Sequence, residues 1–331
     1  VSTRETHGVV IGRFMPPHAG HRYLVDFARF MADRVSVLVC TLSHEPIPGE
    51  LRYRWVGELF PDVERVHITE EIPEARRGSP NAVAIWAETV RERVEGAVDY
   101  VFASEDYGFE LADHLEASFV PVDPSRSAFP VSASGIRNDP KRYWRFIPEP
   151  VRPYFVSRVC LLSADRELAR ELSQRFDTVH AADYAQYWER AYGRAPHTLA
   201  EQDAVIQGQH ALEAALARQS NWVLFTEMDP QLIELRMGED ASEDGGTGND
   251  SRLSRSPSAL QSARAVAATA YDLYLLDADL TETELGRLPE RYTRRLETQE
   301  SDVVSLRGSR EEKLDIAAKA VEALSPSSLT G

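Results

Sequence analysis

The sequence predicts an α/β protein, a doubly wound parallel sheet followed by a second α/β unit. Short apolar runs alternate with helical spacing through the first half, and the runs are continuous, as in strands covered on both faces. A chain of 331 residues is also long enough to bury two cores. The first strand is placed at residues 8–12, on Gly8-Val9-Val10-Ile11. Tyr23, Leu24, Phe27, Phe30 and Met31 then recur at the spacing of one buried helix face. Val35-Ser36-Val37-Leu38-Val39-Cys40 forms the next strand. Further strands are expected at 63–68, 98–103 and 119–122, separated by helices at 50–60, 81–95 and 107–116. In such a sheet ligands bind at the carboxyl ends of strands, where the segment after the first strand falls.

In the second half, residues 151–163 read as a linker running into a new strand. Helical spacing follows at 165–176, strands at 222–229, 271–277 and 303–308, and a closing helix at 311–324. Residues 238–257 are rich in Gly, Ser, Asp and Glu with almost no apolar side chains, so a mobile loop is expected there.

The formal net charge of −16 argues against nucleic acid or an anionic membrane as the main partner. Cys40 and Cys160 lie inside apolar runs and read as buried thiols of a reducing compartment. Neither a charged start before an apolar stretch nor a long apolar span is present, so a soluble cytoplasmic protein is expected. No histidine or cysteine cluster has metal-ligand spacing.

The segment Gly12-Arg13-Phe14-Met15-Pro16-Pro17-His18-Ala19-Gly20-His21 carries the strongest chemical signal. It sits at a strand-to-helix turn, where exposed N–H groups and the positive helix end favour an anion. Gly12 and Gly20 allow close approach of the main chain, and Pro16-Pro17 stiffen the loop. Read as G-x-F-x-P-x-H-x-G-H, the segment resembles the signature of the nucleotidyltransferase superfamily. Six fixed positions make it far sharper than a lone glycine-rich pattern. A second segment, Val131-Ser132-Ala133-Ser134-Gly135-Ile136-Arg137, is by itself a serine-capped helix start. Beside the histidine motif it resembles the superfamily's second signature, I-S-x-T-x-I-R, with Val131 and Ser134 substituted. Arg137 then becomes the triphosphate-binding cation.

The resemblance narrows over residues 1–155 to the adenylyltransferase domain of NadR-type proteins, which make NAD from nicotinamide mononucleotide and ATP. It is carried by Leu51–Trp55, Ala84-Ile85-Trp86, Ser104–Gly108, Val122–Arg126 and Arg142–Pro148. It implies catalytic roles for His18, His21, Arg13 and Arg137, and ATP contacts from Gly12, Phe14, Gly20, Ser132 and Ser134. Ser104, Glu105 and Tyr107 would lie near the adenine, Trp86 would stack on the nicotinamide ring, and Arg126 would lie near the bound nucleotides. Taken alone, Trp86 is also an ordinary core tryptophan, and Ser104-Glu105 an ordinary helix cap. The sequence departs from the pattern at Arg13, where the family often has lysine, and in the segment between Leu42 and Leu51. The implied reaction is attack of the mononucleotide's phosphate on the α-phosphorus of ATP, with Mg²⁺ held mainly by ATP and water. Protonation of the histidines is expected to strengthen their donation to phosphate.

NadR-type proteins carry next a P-loop ribosylnicotinamide kinase, here residues 156–331. In place of G-x-x-x-x-G-K-[ST] this chain has Leu162-Ser163-Ala164-Asp165-Arg166-Glu167-Leu168, with neither glycine nor lysine. The backbone cradle for phosphate is lost, so a P-loop-kinase-like domain lacking its P-loop and its kinase activity is expected. Glu227 and Asp229 end a strand where a metal would be held, and are either weak cation ligands or a solvated strand end. Some bacterial members carry a helix-turn-helix in front of the first strand; direct DNA binding is not expected here. Two alternatives stay open: a different phosphorylated acceptor, or a non-catalytic sensor of NAD or ATP. A homo-oligomer is also left open.

Overall fold

The computed structural model describes residues 4–72, 80–230, 232, 271–278 and 302–324. The segment 238–257, expected to be a mobile loop, lies outside the described residues. The chain divides between Val151 and Arg152 into two compact units.

The first unit runs β1 (His7–Gly12), α1 (Ala19–Met31), β2 (Arg34–Cys40), α2 (Gly49–Leu59), β3 (Glu64–Ile68), α3 (Pro80–Arg93), β4 (Tyr100–Ala103), α4 (Tyr107–His114), β5 (Ser118–Pro121) and the short α5 (Ala133–Asn138). The strands form one parallel sheet in the order β3-β2-β1-β4-β5. Both faces are covered, which is why its central strands carry unbroken apolar runs. Successive residues point to opposite faces. Val10, Val37, Val39 and Phe102 pack with Val25 and Ala28 of α1 and Val56 of α2. Val9, Leu38 and Val101 pack with Val83, Trp86, Ala87 and Val90 of α3 and Leu111 of α4. Pro121 is accommodated because β5 is an edge strand. The sheet's order reverses at β1, so the crevice outside the ends of β1 and β4 is its natural ligand site.

One helix face differs from expectation. The buried stripe of α1 is Leu24, Val25 and Ala28, whereas Phe30 is 93% exposed. The helical repeat carries the inward stripe through 21, 24, 25 and 28, leaving Tyr23 and Phe27 at its border and Phe30 beyond it.

The second unit runs β6 (Ser157–Leu162), α6 (Glu167–Arg175), β7 (His180–Ala181), α7 (Tyr184–Tyr192), α8 (Leu199–Ala217), β8 (Val223–Thr226), β9 (Leu273–Asp277), β10 (Asp302–Leu306) and α9 (Arg310–Ala323). Its parallel sheet has the order β10-β9-β6-β8-β7. The elements β7, α7 and α8 have no counterpart in the sequence reading. In α8 the inward face includes the buried polar residues Gln209 and Glu213, which break the apolar period. Glu213 accepts from Gln209 (3.0 Å), Thr226 (3.2 Å) and Tyr271 (3.1 Å) and faces Arg158 at 3.5 Å. Burial pushes its carboxyl above the usual range.

Phe102 is 1% exposed in the first unit's core, against Phe27 and Tyr100. Phe102→Ala is expected to destabilise this unit by about 3–5 kcal/mol, read as a lower denaturant midpoint.

Candidate active site

At the carboxyl ends of β1 and β4 lies a cavity of about 540 Å³. Its lining includes Gly12, Arg13, Phe14, His18, Gly20, His21, Trp86, Ser104, Glu105, Tyr107, Arg126, Ser132, Ser134 and Arg137. The structure thus brings together every site residue that the sequence nominates in the first unit.

The turn from β1 into α1 is built by its histidines. His18 is extended and is the N-cap of α1. Its Nδ1 accepts the N–H groups of Gly20 (3.1 Å) and His21 (3.4 Å), while the His18 N–H donates to Nδ1 of His21 at 3.3 Å. The pair forms a capping box in which imidazoles replace the usual hydroxyl and carboxylate. Gly20 leaves room for this ring: a Cβ would lie 3.1 Å from Nδ1 and Cε1 of His18, a contact the imidazole would have to yield to by a few tenths of an ångström. The rings lie face to face, tilted, with centroids 3.8 Å apart, and Phe14 packs against His21 at 4.8 Å. With each Nδ1 accepting, the proton of each neutral ring sits on Nε2. Burial and then the positive charge of Arg126 lower the pKa of His18 to about 4. Burial, His18 and Arg126 lower that of His21 well below its usual value. Both rings are neutral donors near pH 7, which revises the expectation that protonation strengthens their donation.

The guanidiniums of Arg13, Arg126 and Arg137 line the same cavity. Arg137 extends from α5 and donates to the Met15 carbonyl at 2.6 Å. Ser132 caps α5, its hydroxyl accepting from the Gly135 N–H at 3.0 Å and lying 3.2 Å from the Ser134 hydroxyl. Arg126 sits in a loop held by Asp123, whose carboxylate accepts the N–H groups of Ser127 (2.8 Å), Ala128 (3.2 Å) and Phe129 (3.3 Å). Burial raises the Asp123 pKa, but these three donors more than offset it and leave the carboxyl below its usual range. They also hold two non-glycine residues in the left-handed region, Asp123 at φ 45° and Arg126 at φ 53°. Arg126 reaches Glu105 at 3.7 Å.

Tyr107 spends its hydroxyl on the Ile11 carbonyl at 3.2 Å, bracing β1. Trp86 is 9% exposed and belongs to the core cluster as well as to the cavity wall. Cys40 is half-buried and lines the cavity, with its thiol pKa pushed up to about 12 by burial; Cys160 is buried. Cavity residues to which the sequence assigns no individual role include Thr41, Glu45, Asp123 and Phe129. The proline-flanked segment at 43–50 was the only signal pointing to Glu45.

Glu227 and Asp229 belong to the second unit and are not a solvated strand end. Asp229 is fully buried and accepts from the Tyr274 hydroxyl at 3.0 Å. Glu227 accepts from Gln186 at 3.1 Å and faces His180 at 3.6 Å. Among the described residues, no group of three or more His, Cys, Asp or Glu is placed to hold a metal ion. No described helix is long and apolar enough to cross a membrane. Between β6 and α6 only Ser163–Arg166 intervene. Ser163 donates to Asp277 at 2.6 Å, Lys313 of α9 pairs with Asp277 at 2.7 Å, and Arg310 ties Asp165 (2.6 Å) to Glu171 (2.8 Å).

No family model matches the chain. It is 28% identical over 204 residues to the trifunctional NAD biosynthesis/regulator protein NadR of Escherichia coli (strain K12), covering 55% of this chain and 50% of that protein. The protein of the same name from Salmonella typhimurium (strain LT2) is 27% identical over 200 residues, covering 54% and 48%. The chain therefore spans about half the length of the curated relatives it matches. A crystal structure of NadR protein in complex with NAD and AMP-PNP superposes with a TM-score of 0.73 at 19% identity, over 96% of this chain and 95% of that one. A NadR structure in complex with NR gives 0.73 at 18% identity, over 97% and 96%. The chain thus has the two-sheet α/β fold of NadR proteins and sequence relatives among NAD-biosynthesis proteins of that name.

Proposed function

We propose that the first unit transfers the adenylyl group of ATP to nicotinamide mononucleotide, forming NAD and pyrophosphate. The observation that carries this reading is the convergence of His18, His21, Arg13 and Arg137 on one cavity at the sheet's reversal point. The NAD-biosynthesis relatives and the NAD- and AMP-PNP-bound neighbour support the choice of substrates.

An oxygen of the mononucleotide's 5′-phosphate attacks the α-phosphorus, forming the new P–O bond. The α–β bridging bond breaks and its electron pair leaves with pyrophosphate. The nucleophile is ionised near neutral pH, so the protein supplies alignment and charge rather than a general base. The Nε2–H groups of His18 and His21 donate to phosphate oxygens, and Arg13 and Arg137 neutralise the triphosphate. Gly12, Phe14 and Gly20 bring the turn's backbone close, while Ser132 and Ser134 line the phosphate side. Ser104, Glu105 and Tyr107 border the adenine, with Trp86 and Arg126 toward the acceptor. The cavity carboxylates are engaged by cations or backbone: Glu45 by Arg52, Glu105 by Arg126, Glu70 by Arg93, and Asp123 by its loop. Mg²⁺ would therefore be held by triphosphate oxygens and water, and supplies charge neutralisation there.

The second unit, on this reading, is a kinase fold without kinase activity. Asp165 and Asp277 border the connection after β6, each paired with a cation of α9, and the connection has no glycine to form a backbone cradle for phosphate. Two unpaired thiols suit a reducing cytoplasm as the place of action.

NAD formation from ATP, Mg²⁺ and nicotinamide mononucleotide, read through a coupled dehydrogenase, tests the reading. His21→Ala is expected to lower turnover about a hundredfold or more in a folded protein; near-normal turnover removes the histidines from the mechanism. Absence of turnover with this acceptor, but turnover with another mononucleotide, would reassign the acceptor. Tight NAD binding with no turnover of any acceptor would make the unit a sensor.

Because both histidines are neutral well below pH 6.5, kcat/KM for ATP is expected to show no histidine ionisation between pH 6 and 8. The unfolded chain binds protons at pH 6.5 that the folded one refuses. Stability from this pair is therefore complete above pH 6.5 and is lost as pH falls toward 4, measurable by denaturant unfolding.

A further inference from the structure

The proposed reaction uses Arg13 and Arg137 to hold phosphate, yet a carboxylate stands among them. The Glu45 side chain is 5% exposed. Its Oε2 accepts from the Leu42 N–H at 2.8 Å and pairs with Arg52. Its Oε1 faces Arg13 at 3.7 Å, is buried, and makes no hydrogen bond. Arg52 has no exposure and donates to the carbonyls of Arg13 (2.8 Å) and Cys40 (3.3 Å). Burial lowers the pKa of Arg137; next in weight, Glu45 raises it, and Arg13 and Arg52 lower it. The four charges therefore form one electrostatic group. Cys40, His18 and His21 add nothing to it, since all three are neutral near pH 7.

Two kinds of contact meet at Glu45. The bond to Arg52 is tight and buried. The pairing with Arg13 is loose: it lacks a hydrogen bond, and the Arg13 side chain is 45% exposed. Arg13 can leave Glu45 for a phosphate oxygen while Arg52 keeps the carboxylate in place. A folded phosphate site gains nothing in affinity from such a carboxylate, because it opposes every anion that enters. Without it, Arg13 and Arg137, the two of these guanidiniums that line the cavity, would hold a released pyrophosphate strongly, and product departure would limit turnover.

We infer that Glu45 is a built-in competitor for the phosphate-binding guanidiniums. It faces Arg13 between turnovers and weakens the grip on pyrophosphate after transfer, so that the product leaves. Glu45 touches no reacting atom and is a positioning residue. The inference rests on the adenylyltransferase reading.

Glu45→Gln tests it, because the amide oxygen still accepts from Leu42 and Arg52 while the charge is gone. The probe is inorganic pyrophosphate, titrated calorimetrically into the full chain. Removing one charge beside a bound polyanion in a partly screened site is expected to tighten pyrophosphate binding about ten- to thirtyfold. The KM for ATP should fall with it, and kcat should drop as release becomes limiting. Unchanged or weaker pyrophosphate binding by a folded Glu45→Gln protein overturns the inference. Should that variant fail to fold, Glu45→Asp draws the carboxylate back from Arg13 and is expected to tighten binding about threefold; no tightening again overturns it. Unchanged pyrophosphate binding in a variant of a protein that does form NAD sinks the inference alone, whereas absence of NAD formation by the unsubstituted protein sinks the adenylyltransferase reading, which separates the two failures.

Discussion

The first unit depends on how the helix after β1 begins. Four N–H groups at the start of any helix need partners, and serine or aspartate usually supplies them. Here an imidazole does so, and that choice fixes the chemistry. Once Nδ1 of His18 is committed to the backbone, the tautomer is settled and Nε2–H is left for a ligand. The same cap orients His21 through its bond to the His18 N–H. Local folding and ligand chemistry are thus two ends of one ring, and Gly20 is the residue that makes room for it.

Charge is organised on a smaller scale than the chain's overall balance. A formal charge of −16 coexists with Arg13, Arg126 and Arg137 gathered at one cavity. Its other basic-looking groups, the two histidines, are kept neutral by burial. The cavity's attraction for an anion therefore comes from always-ionised guanidiniums and from neutral N–H donors. In the second unit the corresponding connection is bordered by Asp165 and Asp277, and its lysine and arginine come from the far end of the chain, on α9.

Much of this was legible in the sequence, for physical reasons. Buried parallel strands are continuous apolar runs, so β1 and β2 announce themselves; the turn at 12–21 is a compact motif whose residues act on neighbours within a few positions. What was not legible acts across distance or against type. Arg52 sits in an ordinary amphipathic helix, and nothing local marks it as fully buried; its partners come from the turn after β1, the end of β2 and the segment before α2. The Asp123 loop depends on one carboxylate meeting three successive N–H groups, a matter of backbone conformation that composition does not encode. In α8, Gln209 and Glu213 face inward and erase the periodicity by which a helix is usually found.

The single guanidinium of Arg52 joins the turn after β1, the end of β2 and the segment carrying Glu45. The two ends of the cavity are consequently not separable modules. A sequence that drifts at 42–48 also disturbs Arg52 and, through it, the carbonyl of Arg13. Diversification of this scaffold is therefore coupled: a change of cavity shape at 42–48 has to arrive together with a new partner for Arg52, or be made on a side of the cavity whose residues this arginine does not touch.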